Sequence, residues 1–320
     1  MRNWVIAVLA LLAATSIVAQ PAPAAAAAPL VLVVAGPPGN PGDLLLRTLS
    51  APLAAELGQP VLVENKPGAA GTIGLAAVAR AKADGNVLGL LALQSTVAPA
   101  LIKALPYDTL HDLVPVRQLS WLSNVLVVAP DSAFASLDDV VKAGQSSPLT
   151  FASGGNGTPA HLAAELFAQQ AHARLQIVPF NGAAAGVNAV IGGHVQMMFA
   201  AAPAVAGLVQ AGKLRALAAA GPQRLPRLPD VPTLAASGLA GATMRDWHGL
   251  VAPAGTSPER IERIARALDK VLAAPAVRQA MAAAGLEPVA SSTPDTFRAF
   301  VTLEVERWGE LVRRSGIRLQ

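Results

Sequence analysis

The sequence predicts an α/β protein of two lobes, each a mostly parallel, doubly wound sheet. Short apolar runs alternate with helical stretches along the chain, which is the pattern of successive βαβ units. About 290 residues follow an N-terminal leader, more than a single hydrophobic core usually organises. Two glycine-rich turns, at 36–43 and 153–158, each join an apolar run to a helical one. In doubly wound sheets, ligands bind beyond the carboxyl ends of the strands, where these turns lie.

The first half of the chain shows this alternation clearly. The apolar run at 30–35 predicts a strand buried on both faces. In the next helix, four leucines spaced four residues apart fall on one side. Asp43 is placed to cap the start of this helix, and Pro52 is expected to kink or shorten it. We predict further strands at 60–64 and 87–93, a loop at 68–74 and a helix at 75–83.

The second half repeats the rhythm and adds strong helix starts. Thr158 followed by Pro159 predicts an N-cap and a first helical residue, for a helix that runs to Gln170. The Ser-Pro pair at 257 and the Thr-Pro pair at 293 give the same signal, and the last helix is expected to close at Gly316. We predict strands at 125–129, 150–152, 177–180 and 195–200, and a short helix at 137–143.

The N-terminus predicts a secretory signal, residues 1–28, cleaved near Ala28. Arg2 is the only charge before Asp43, and residues 4–19 form an uninterrupted apolar or small-residue run followed by an alanine-rich stretch. The alternative is an uncleaved anchor, for which the run is short. The chain has no cysteine, which excludes a lipid-modified cysteine, a disulfide and a thiol metal site. In a Gram-negative bacterium, the mature protein is therefore expected to be free in the periplasm.

Composition excludes a nucleic-acid partner. The formal net charge is +4 for the whole chain, and it falls to +3 when Arg2 leaves with the leader. Lysines and arginines form no cluster interleaved with aromatic residues, and there is only one tyrosine. The mild positive charge is compatible with an acidic small ligand. After the leader, no apolar stretch is long and clean enough to span a membrane.

The glycine-rich turns are candidate sites for an anion. Glycine allows the backbone to direct its N–H groups toward a ligand, and the following helix adds its positive N-terminal end. Prolines in the first turn carry no N–H, which leaves Gly39, Asn40, Gly42 and Asp43 as the expected donors. Either turn alone could be a plain strand-to-helix connection. The presence of two such turns, over a hundred residues apart, favours a two-lobed anion receptor.

The sequence contains no recognisable motif for catalysis or metal binding. Among the five histidines, only His161 has an acidic residue, Glu165, at a spacing that places both on one helix face. We interpret them as an ordinary surface pair. Ser153 lies in a Ser-Gly-Gly-Asn-Gly turn rather than in a nucleophile elbow, and no motif supplies a base. We therefore predict neither an enzyme nor a metal or cofactor site.

Several blocks resemble a known receptor family, and they occur in the same order. They read VENKPGAAGTIGLAAVARAKADG, PALIKALPYDTLHDLVPV, ASGGNGTPAHLAAELF, GAAAGVNAVIGGHVQMMFA, AGKLRALAAA with PQRLPRLPDVPTLAASG, and WHGLVAPAGTS. Together they resemble the substrate-binding receptors of tripartite tricarboxylate transporters, the Bug receptors, over essentially the whole mature chain. The resemblance implies a type 2 periplasmic binding protein fold, in which two α/β lobes, joined by two crossover strands, close a cleft on a small organic anion.

The resemblance also implies where the lobes divide. The first lobe would comprise residues 29–124 and 246–320, and the second lobe residues 125–245. The crossover strands would run near 125–129 and 249–252. The partners implied are the large and small membrane subunits of a tripartite transporter, and the receptor itself would be a monomer. A periplasmic sensor that presents its loaded form to a membrane signalling protein would have the same fold, and this alternative stays open.

In the family, one loop from each lobe holds the ligand carboxylate through backbone groups and ordered waters. Here these loops correspond to 37–43 and 153–158. Ser95 and Thr96 match a hydroxyl position that lines the cleft, with local turn bonding as the alternative. Asp43 matches an acidic residue after the first loop and is interpreted mainly as a helix cap. The implied ligand-binding residues are Pro38, Gly39, Asn40, Gly42, Asp43, Ser95, Thr96, Ser153, Gly154, Gly155, Asn156, Gly157, Thr158, Phe180, Gly182 and Ala200.

The chain departs from the family pattern at three places. Its first loop, Ala-Gly-Pro-Pro-Gly-Asn-Pro-Gly-Asp, lacks an aromatic residue and has an extra proline. Phe180 replaces a tyrosine, and Ala200 replaces an acidic residue. These changes make the expected cleft more apolar. The ligand could therefore be a di- or tricarboxylate, an aromatic acid or a neutral amide.

Overall fold

The computed structural model describes residues 28–315, which fold into two α/β lobes. The expected leader up to residue 27 and the expected helix end at Gly316 lie outside the described residues. In chain order the strands are β1 (Leu30–Val34), β2 (Val61–Asn65), β3 (Val87–Ala92), β4 (Leu113–Leu122), β5 (Asn124–Val128), β6 (Leu149–Ser153), β7 (Leu175–Pro179), β8 (Met197–Ala201), β9 (Arg215–Ala219), β10 (Asp246–Pro253) and β11 (Glu287–Pro288).

Helices cover both faces of the two sheets. They are α1 (Pro41–Leu57), α2 (Thr72–Ala79), α3 (Leu93–Leu101), α4 (Leu137–Ser146), α5 (Pro159–Ala171), α6 (Ala183–Ile191), α7 (Ala202–Gln210), α8 (Pro258–Ala273), α9 (Pro275–Ala283) and α10 (Pro294–Ser315). Within residues 28–315, no helix has the length and apolar character needed to cross a bilayer.

Each sheet is mostly parallel but contains one reversed strand in its interior. The strand order is β11-β4-β10-β3-β1-β2 in the first sheet and β7-β6-β8-β5-β9 in the second. The interior reversed strands are β10, which is antiparallel to β3 and β4, and β5, which is antiparallel to β8 and β9; the short edge strand β11 is also antiparallel to its neighbour β4. β10 and β5 each come directly after the chain has passed from the other lobe. The chain therefore enters each sheet at the edge where the parallel strands end. A strand that starts there runs antiparallel to them, whereas a crossover helix would have brought the chain back to the opposite edge.

The two passages between the lobes are short. The chain leaves the first sheet at Leu122 and enters the second at Asn124, with Ser123 alone between them. On the return, the Met244 N–H donates to Ala220 in the second lobe, and Asp246 already pairs with Leu122 in the first sheet. The expected crossover strands near 125–129 and 249–252 overlap β5 (Asn124–Val128) and β10 (Asp246–Pro253), the strands that directly follow the two passages. β5 also begins one residue before the expected lobe boundary.

Helix α1 packs along the first sheet as the leucine spacing predicts. Leu45, Leu49, Leu53 and Leu57 are all buried. The helix continues past Pro52 to Leu57, so the expected shortening does not occur. An interior proline costs about 3 kcal/mol, whereas each fully buried leucine contributes about 2 kcal/mol. Packing of this face therefore outweighs the cost of Pro52.

The C-terminal helix α10 closes the other face of the first sheet around a buried acid. Glu304 accepts hydrogen bonds from the indole N–H groups of Trp247 (2.9 Å) and Trp308 (2.8 Å). Gly249 allows this close packing, since a Cβ there would lie 2.1 Å from the ring of Phe297. These contacts fix the start of β10, where the chain returns from the second lobe.

Asp246, in the same region, gives a prediction about pH. Burial raises the pKa of Asp246 to about 7, a hydrogen bond from the Trp247 N–H opposes the increase, and the charge of Glu304 adds to it. Between the ordinary value of about 3.9 and pH 7 the folded protein therefore binds more protons than the unfolded chain, and stability falls as pH rises. We expect Asp246→Asn to gain stability relative to wild type between pH 5 and pH 8, by up to about 3 kcal/mol, since only the two pH units between 5 and the pKa of about 7 contribute.

Urea unfolding of both proteins at the two pH values measures this difference, with exposed Asp138→Asn as the control. Comparison with wild type is needed because buried His248 has the opposite effect. Burial lowers the pKa of His248 to about 4, so its contribution to stability is lost as pH falls from about 6.5 toward 4. An equal difference between Asp246→Asn and wild type at both pH values would contradict the prediction.

Candidate functional site

The two glycine-rich turns lie on carboxyl edges that the short passages join. The first turn follows β1 and leads into α1, and the second follows β6 and leads into α5. β1, β2 and β3 run parallel, as do β6, β7 and β8. The chain crosses between the lobes at the end of β4 and the starts of β5 and β10, which are at the same edges. The fold therefore places one turn from each lobe at the junction of the two lobes.

Asn40, rather than Asp43, caps helix α1. The Asn40 side chain accepts the Asp43 N–H at 2.9 Å, and Pro41 is the first helical residue. The expected role of Asp43 as the cap is therefore wrong, because α1 begins two residues before Asp43. Asp43 instead lies in the first turn, where its charge favours the positive end of the helix.

The Asp43 carboxylate is buried and organises the first loop. It accepts the Gly39 N–H at 2.9 Å and both oxygens accept from the Arg47 guanidinium at 3.0 Å. Arg47 also donates to Asn65, at the end of β2, so the loop is tied to the neighbouring strand. Burial alone would raise the pKa of Asp43, but the hydrogen bonds from Arg47 and Gly39 outweigh it and lower the pKa. Asp43 is therefore charged, and its charge is balanced by Arg47 and by the Gly39 N–H within the protein.

Three of the four expected backbone donors in the first loop already have partners. Gly39 and Asp43 donate to side chains, as described, and the Asn40 N–H points at the Pro37 carbonyl at 3.5 Å. Gly42 is different: it is the second residue of α1, where a backbone N–H has no partner within the helix. A Cβ at Gly42 would lie 3.5 Å from Nε2 of His248. Gly42 therefore lies close to the buried His248 imidazole at the start of α1.

The second loop has the predicted helix start but a different bonding pattern. Thr158 occupies the N-cap position before Pro159, as predicted. Its hydroxyl does not cap the helix and donates instead to the Gly155 carbonyl at 2.7 Å. The Gly155 N–H donates to the buried Ser153 hydroxyl at 3.4 Å. Gly155 has a φ of +121°, which a side chain rarely adopts, so this turn depends on glycine.

His161 is a structural residue of the second loop. Its Nδ1 accepts the Gly157 N–H at 3.3 Å, and its Nε2 lies 3.4 Å from Glu165. Because Nδ1 accepts, the proton of the neutral ring is on Nε2 and faces the carboxylate. The expected surface pair is wrong in one respect, since His161 is only 5% exposed. Within residues 28–315, no group of three or more acidic or histidine side chains could hold a metal ion.

Helix α3 brings the first lobe against the second loop. A Cβ at Gly157 would lie 2.5 Å from Leu101, so the two lobes touch there. Ser95 and Thr96 lie in the first turn of α3 and are buried, and the Thr96 hydroxyl donates to the Leu93 carbonyl at 2.6 Å. Ser95 accepts the Ala92 N–H at 3.5 Å. Both hydroxyls thus form hydrogen bonds with nearby backbone groups, which is the alternative to a role in lining the cleft.

The remaining expected residues lie around the second loop or behind it. Gly182 is near the second loop, since a Cβ at Gly154 would contact the Gly182–Ala183 peptide at 3.0–3.3 Å. Phe180 is half-buried and packs against the core of the second lobe. Ala200 is in β8, 2% exposed and within the same core. An acidic side chain at position 200 would be buried here, so the alanine suits its surroundings.

Two features of the site have no strong signal in the sequence. Gln94 is the second residue of α3, two residues after the end of β3, and it is half-buried. Its amide nitrogen lies 3.6 Å from where a Cβ at Gly71 would be. Residues 68–71 all have positive φ, including Ala69 and Ala70, which costs energy for residues with a side chain. This strained loop packs against Ala35 of the first turn. Only the fold brings these segments together.

Comparison with known proteins identifies the family. The chain matches the tripartite tricarboxylate transporter family receptors, TctC, over residues 45–317. Protein BugT of Bordetella pertussis is 36% identical over 321 residues, covering 98% of each chain. The periplasmic binding protein BugD is 29% identical, with a TM-score of 0.82 over 91% of this chain and 99% of its own. MatC from Rhodopseudomonas palustris, solved with bound malate, is 28% identical, with a TM-score of 0.79 over 89% of this chain and 99% of its own.

These similarities confirm the periplasmic binding protein fold expected from the sequence, and the family is one of solute-binding receptors rather than of enzymes. The chain thus belongs to the tripartite tricarboxylate transporter family receptors, the Bug receptors.

Proposed function

We propose that this receptor captures a small carboxylate between its two glycine-rich loops and presents it, by lobe closure, to the membrane subunits of a tripartite transporter. The observation that carries the proposal is the position of the two loops. Each lies at a carboxyl edge, each opens into a helix N-terminus, and one comes from each lobe. Closure of two lobes can exclude water and satisfy a carboxylate from both sides at once.

The donors in this proposal are fewer than the sequence suggests. In the first loop, we propose the Gly42 N–H at the start of α1, beside His248. In the second, we propose the N–H groups of Ala160 and His161, which are in the first turn of α5 and have no partner within an α-helix. Both helices begin with proline, so their first position offers no N–H and the donors come from the next residues of the first turn. The remaining glycines shape the loops.

The surroundings of these donors favour a ligand with an apolar body. Phe180 presents a ring without a hydroxyl, and Ala200 is buried in the core rather than placed in the cleft. Gln94 is a further polar side chain that could contact the ligand, and we propose it as a site residue. A dicarboxylate with a methylene chain, or an aromatic acid, fits this composition better than a heavily hydroxylated acid. MatC, for comparison, was solved with malate.

A thermal-shift and calorimetry panel tests the proposal on the purified protein. The panel would contain succinate, malate, citrate, adipate and benzoate, with adipamide as the uncharged counterpart of adipate. A ligand that binds only the folded state adds about 2.7 kcal/mol at a hundredfold excess over Kd. We expect adipate or benzoate to raise the melting temperature in a concentration-dependent way, and adipamide to have little effect. If no acid shifts a cooperatively folded protein, carboxylate capture is wrong.

A further inference from the structure

A cavity lies at the hinge between the lobes, away from the glycine-rich loops. Its volume is about 300 Å³. The first lobe contributes Trp121 and the segment 285–288, and the second lobe contributes the start of α7 and the segment 222–228. Ser123 and Arg245, which are in the two passages between the lobes, complete the wall. An occupant of this hinge cavity would therefore contact both lobes and both passages.

The strand order places this cavity on the opposite side of the hinge from the glycine-rich loops. In the first sheet, the loop-bearing strand β1 is on one side of β10, and β4 and β11 are on the other. In the second sheet, β6 and β9 are likewise on opposite sides of β5. Most of the cavity wall comes from the end of β4, from β11 and from the segment after β9, and the start of α7, which follows β8, completes it. The hinge cavity is thus separate from the proposed carboxylate cleft.

Positive charge exceeds negative charge in the wall of the hinge cavity. Arg245 lies over the Trp121 ring at 4.5 Å and pairs with Glu287 at 2.5 Å. Arg224 and Arg227 donate only to neutral groups, the Pro229 carbonyl at 2.8 Å and the Gln210 amide at 3.4 Å. Neither has a carboxylate partner within residues 28–315. The wall therefore carries three arginines against one glutamate.

The rest of the wall is apolar, and one donor in it is unused. Most of the other lining residues are alanine, leucine and proline. The Arg245 Nε is buried and has no hydrogen-bond partner within the described residues. A buried N–H without a partner costs free energy that an acceptor would recover. Apolar walls with a few convergent charged groups are typical of small-molecule sites, and this volume is at the lower end of their range.

We propose that the hinge cavity binds an organic anion with an apolar ring or short alkyl chain. The apolar body would fill the space beside Trp121, and the acidic group would face Arg224 and Arg227. Arg227 and Arg224 are exposed, so the acidic group would remain at the mouth of the cavity, where it keeps part of its hydration. This arrangement avoids the large desolvation cost of a fully buried charge.

Binding in the hinge cavity would stabilise the lobe arrangement seen here. The two lobes already touch beside it, since a Cβ at Gly285 would lie 2.9 Å from Pro203. They also touch on the other side of the hinge, between Gly157 and Leu101. A ligand that fits this arrangement shifts the equilibrium toward it, and its effect on ligand affinity in the cleft is reciprocal. This coupling rests on the proposed function, whereas the binding itself does not.

The fluorescent anion 8-anilinonaphthalene-1-sulfonate tests the binding, with no cleft ligand present. It joins an aromatic body to one sulfonate. We expect saturable binding at one site per chain, and at least tenfold weaker binding to Ala282→Phe, which fills the cavity from α9. Ala283→Phe is the matched control, because Ala283 is exposed on the same helix and outside the cavity wall. It should bind the probe as wild type does, and cooperative urea unfolding of each variant shows that it is folded.

A second pair of variants tests the role of charge. We expect the double variant Arg224→Gln with Arg227→Gln to bind the anionic probe about tenfold more weakly than wild type. Arg278→Gln, an exposed control on α9, should bind the probe with unchanged affinity. The uncharged probe N-phenyl-1-naphthylamine should bind the double variant and wild type equally. Unchanged binding of the anion to Ala282→Phe would overturn the site, and equal loss of both probes in the double variant would overturn the anion preference.

The outcome is independent of the carboxylate screen. Suppose that no carboxylate raises the melting temperature, but the anionic probe binds wild type and binds Ala282→Phe at least tenfold more weakly. The hinge-cavity proposal is then supported and the proposed function is wrong. If a carboxylate binds to Ala282→Phe as it does to wild type while the probe binds neither protein, the reverse conclusion holds.

Discussion

Replacing Gly39 or Gly155 with valine is expected to reduce carboxylate binding below detection by calorimetry. Gly39 has a φ of +80° and Gly155 a φ of +121°, which β-branched residues avoid at a cost of about 1–2 kcal/mol. Space is not the obstacle, since a Cβ at Gly39 would have no atom within 4 Å. The loops must therefore change their backbone conformation, and they would carry the start of α1 or α5 away from the ligand.

Gly238→Val provides a control for the strain itself. Gly238 has a φ of +83° and equally open surroundings, and it is outside both loops. It should lose about the same stability in urea unfolding and bind the ligand normally. Lys103→Gln, at an exposed residue, and Lys66→Gln, at a half-buried residue paired with Glu64, should also bind normally, because surface charges add steering but little affinity. Normal binding by both loop variants, with binding lost in a lysine variant, would show that a charged side chain holds the ligand.

Arg215 is a third cation of the chain, but it is not a suitable control for this comparison. Its guanidinium donates to the carbonyls of Pro130 (2.7 Å), Ser132 (3.2 Å) and Phe134 (3.0 Å). Arg215 thus holds the segment after β5 in place. Its replacement is expected to lower stability without a direct effect on the ligand.

Asp43→Ala is expected to have the second large effect, on both stability and binding. The change removes the acceptor for Gly39 N–H and the partner of Arg47. Gly39 and Arg47 are exposed, so water can replace the lost carboxylate; the lost hydrogen bonds therefore cost about 1 kcal/mol, and the first loop loses the contacts that position Gly42. We expect a corresponding decrease in the urea midpoint and at least a tenfold weaker Kd for the carboxylate. Asp43→Asn, which keeps the shape, should lose less stability than Asp43→Ala.

The pH dependence of wild type gives a second measure of the same residue. The pKa of Asp43 is lowered in the folded state, so its contribution to stability is present above the ordinary value of about 3.9 and is lost as pH falls below it. Asp43→Asn should lack this part of the acid-induced loss. Asp139→Ala is the matched control: Asp139 accepts the Ala135 and Ser136 N–H groups at the exposed start of α4. A loss of binding in Asp139→Ala equal to that in Asp43→Ala would point to general destabilisation.

Local signals in the sequence predicted most elements and their starts. Thr158, Ser257 and Thr293 each precede a proline, and α5, α8 and α10 begin at those prolines. These signals succeed because a cap and a fixed φ act within one turn of chain. The family and the fold could also be predicted, because the order of the family's sequence blocks is visible without any knowledge of tertiary contacts.

Strand β4 shows why other elements were missed. Its sequence contains Pro115, Arg117 and Gln118, which do not read as a buried strand. Arg117 is 1% exposed, and it is buried because Asp269 and the Val289 carbonyl, over 150 residues away, accept from its guanidinium. No local pattern reports such partners. The same holds for the hinge cavity, whose wall comes from five separate segments.

The sequence by itself determined the two-lobed α/β fold, the receptor family and the two glycine-rich turns, because periodicity, caps and motif order are local properties of the chain. The tertiary structure alone decided which groups of these turns are free to meet a ligand. Asp43 and His161 accept the N–H groups of Gly39 and Gly157, and these contacts exist only in the folded protein. Hydrogen-bond partners depend on side-chain direction and on distance in space, which residue spacing does not fix.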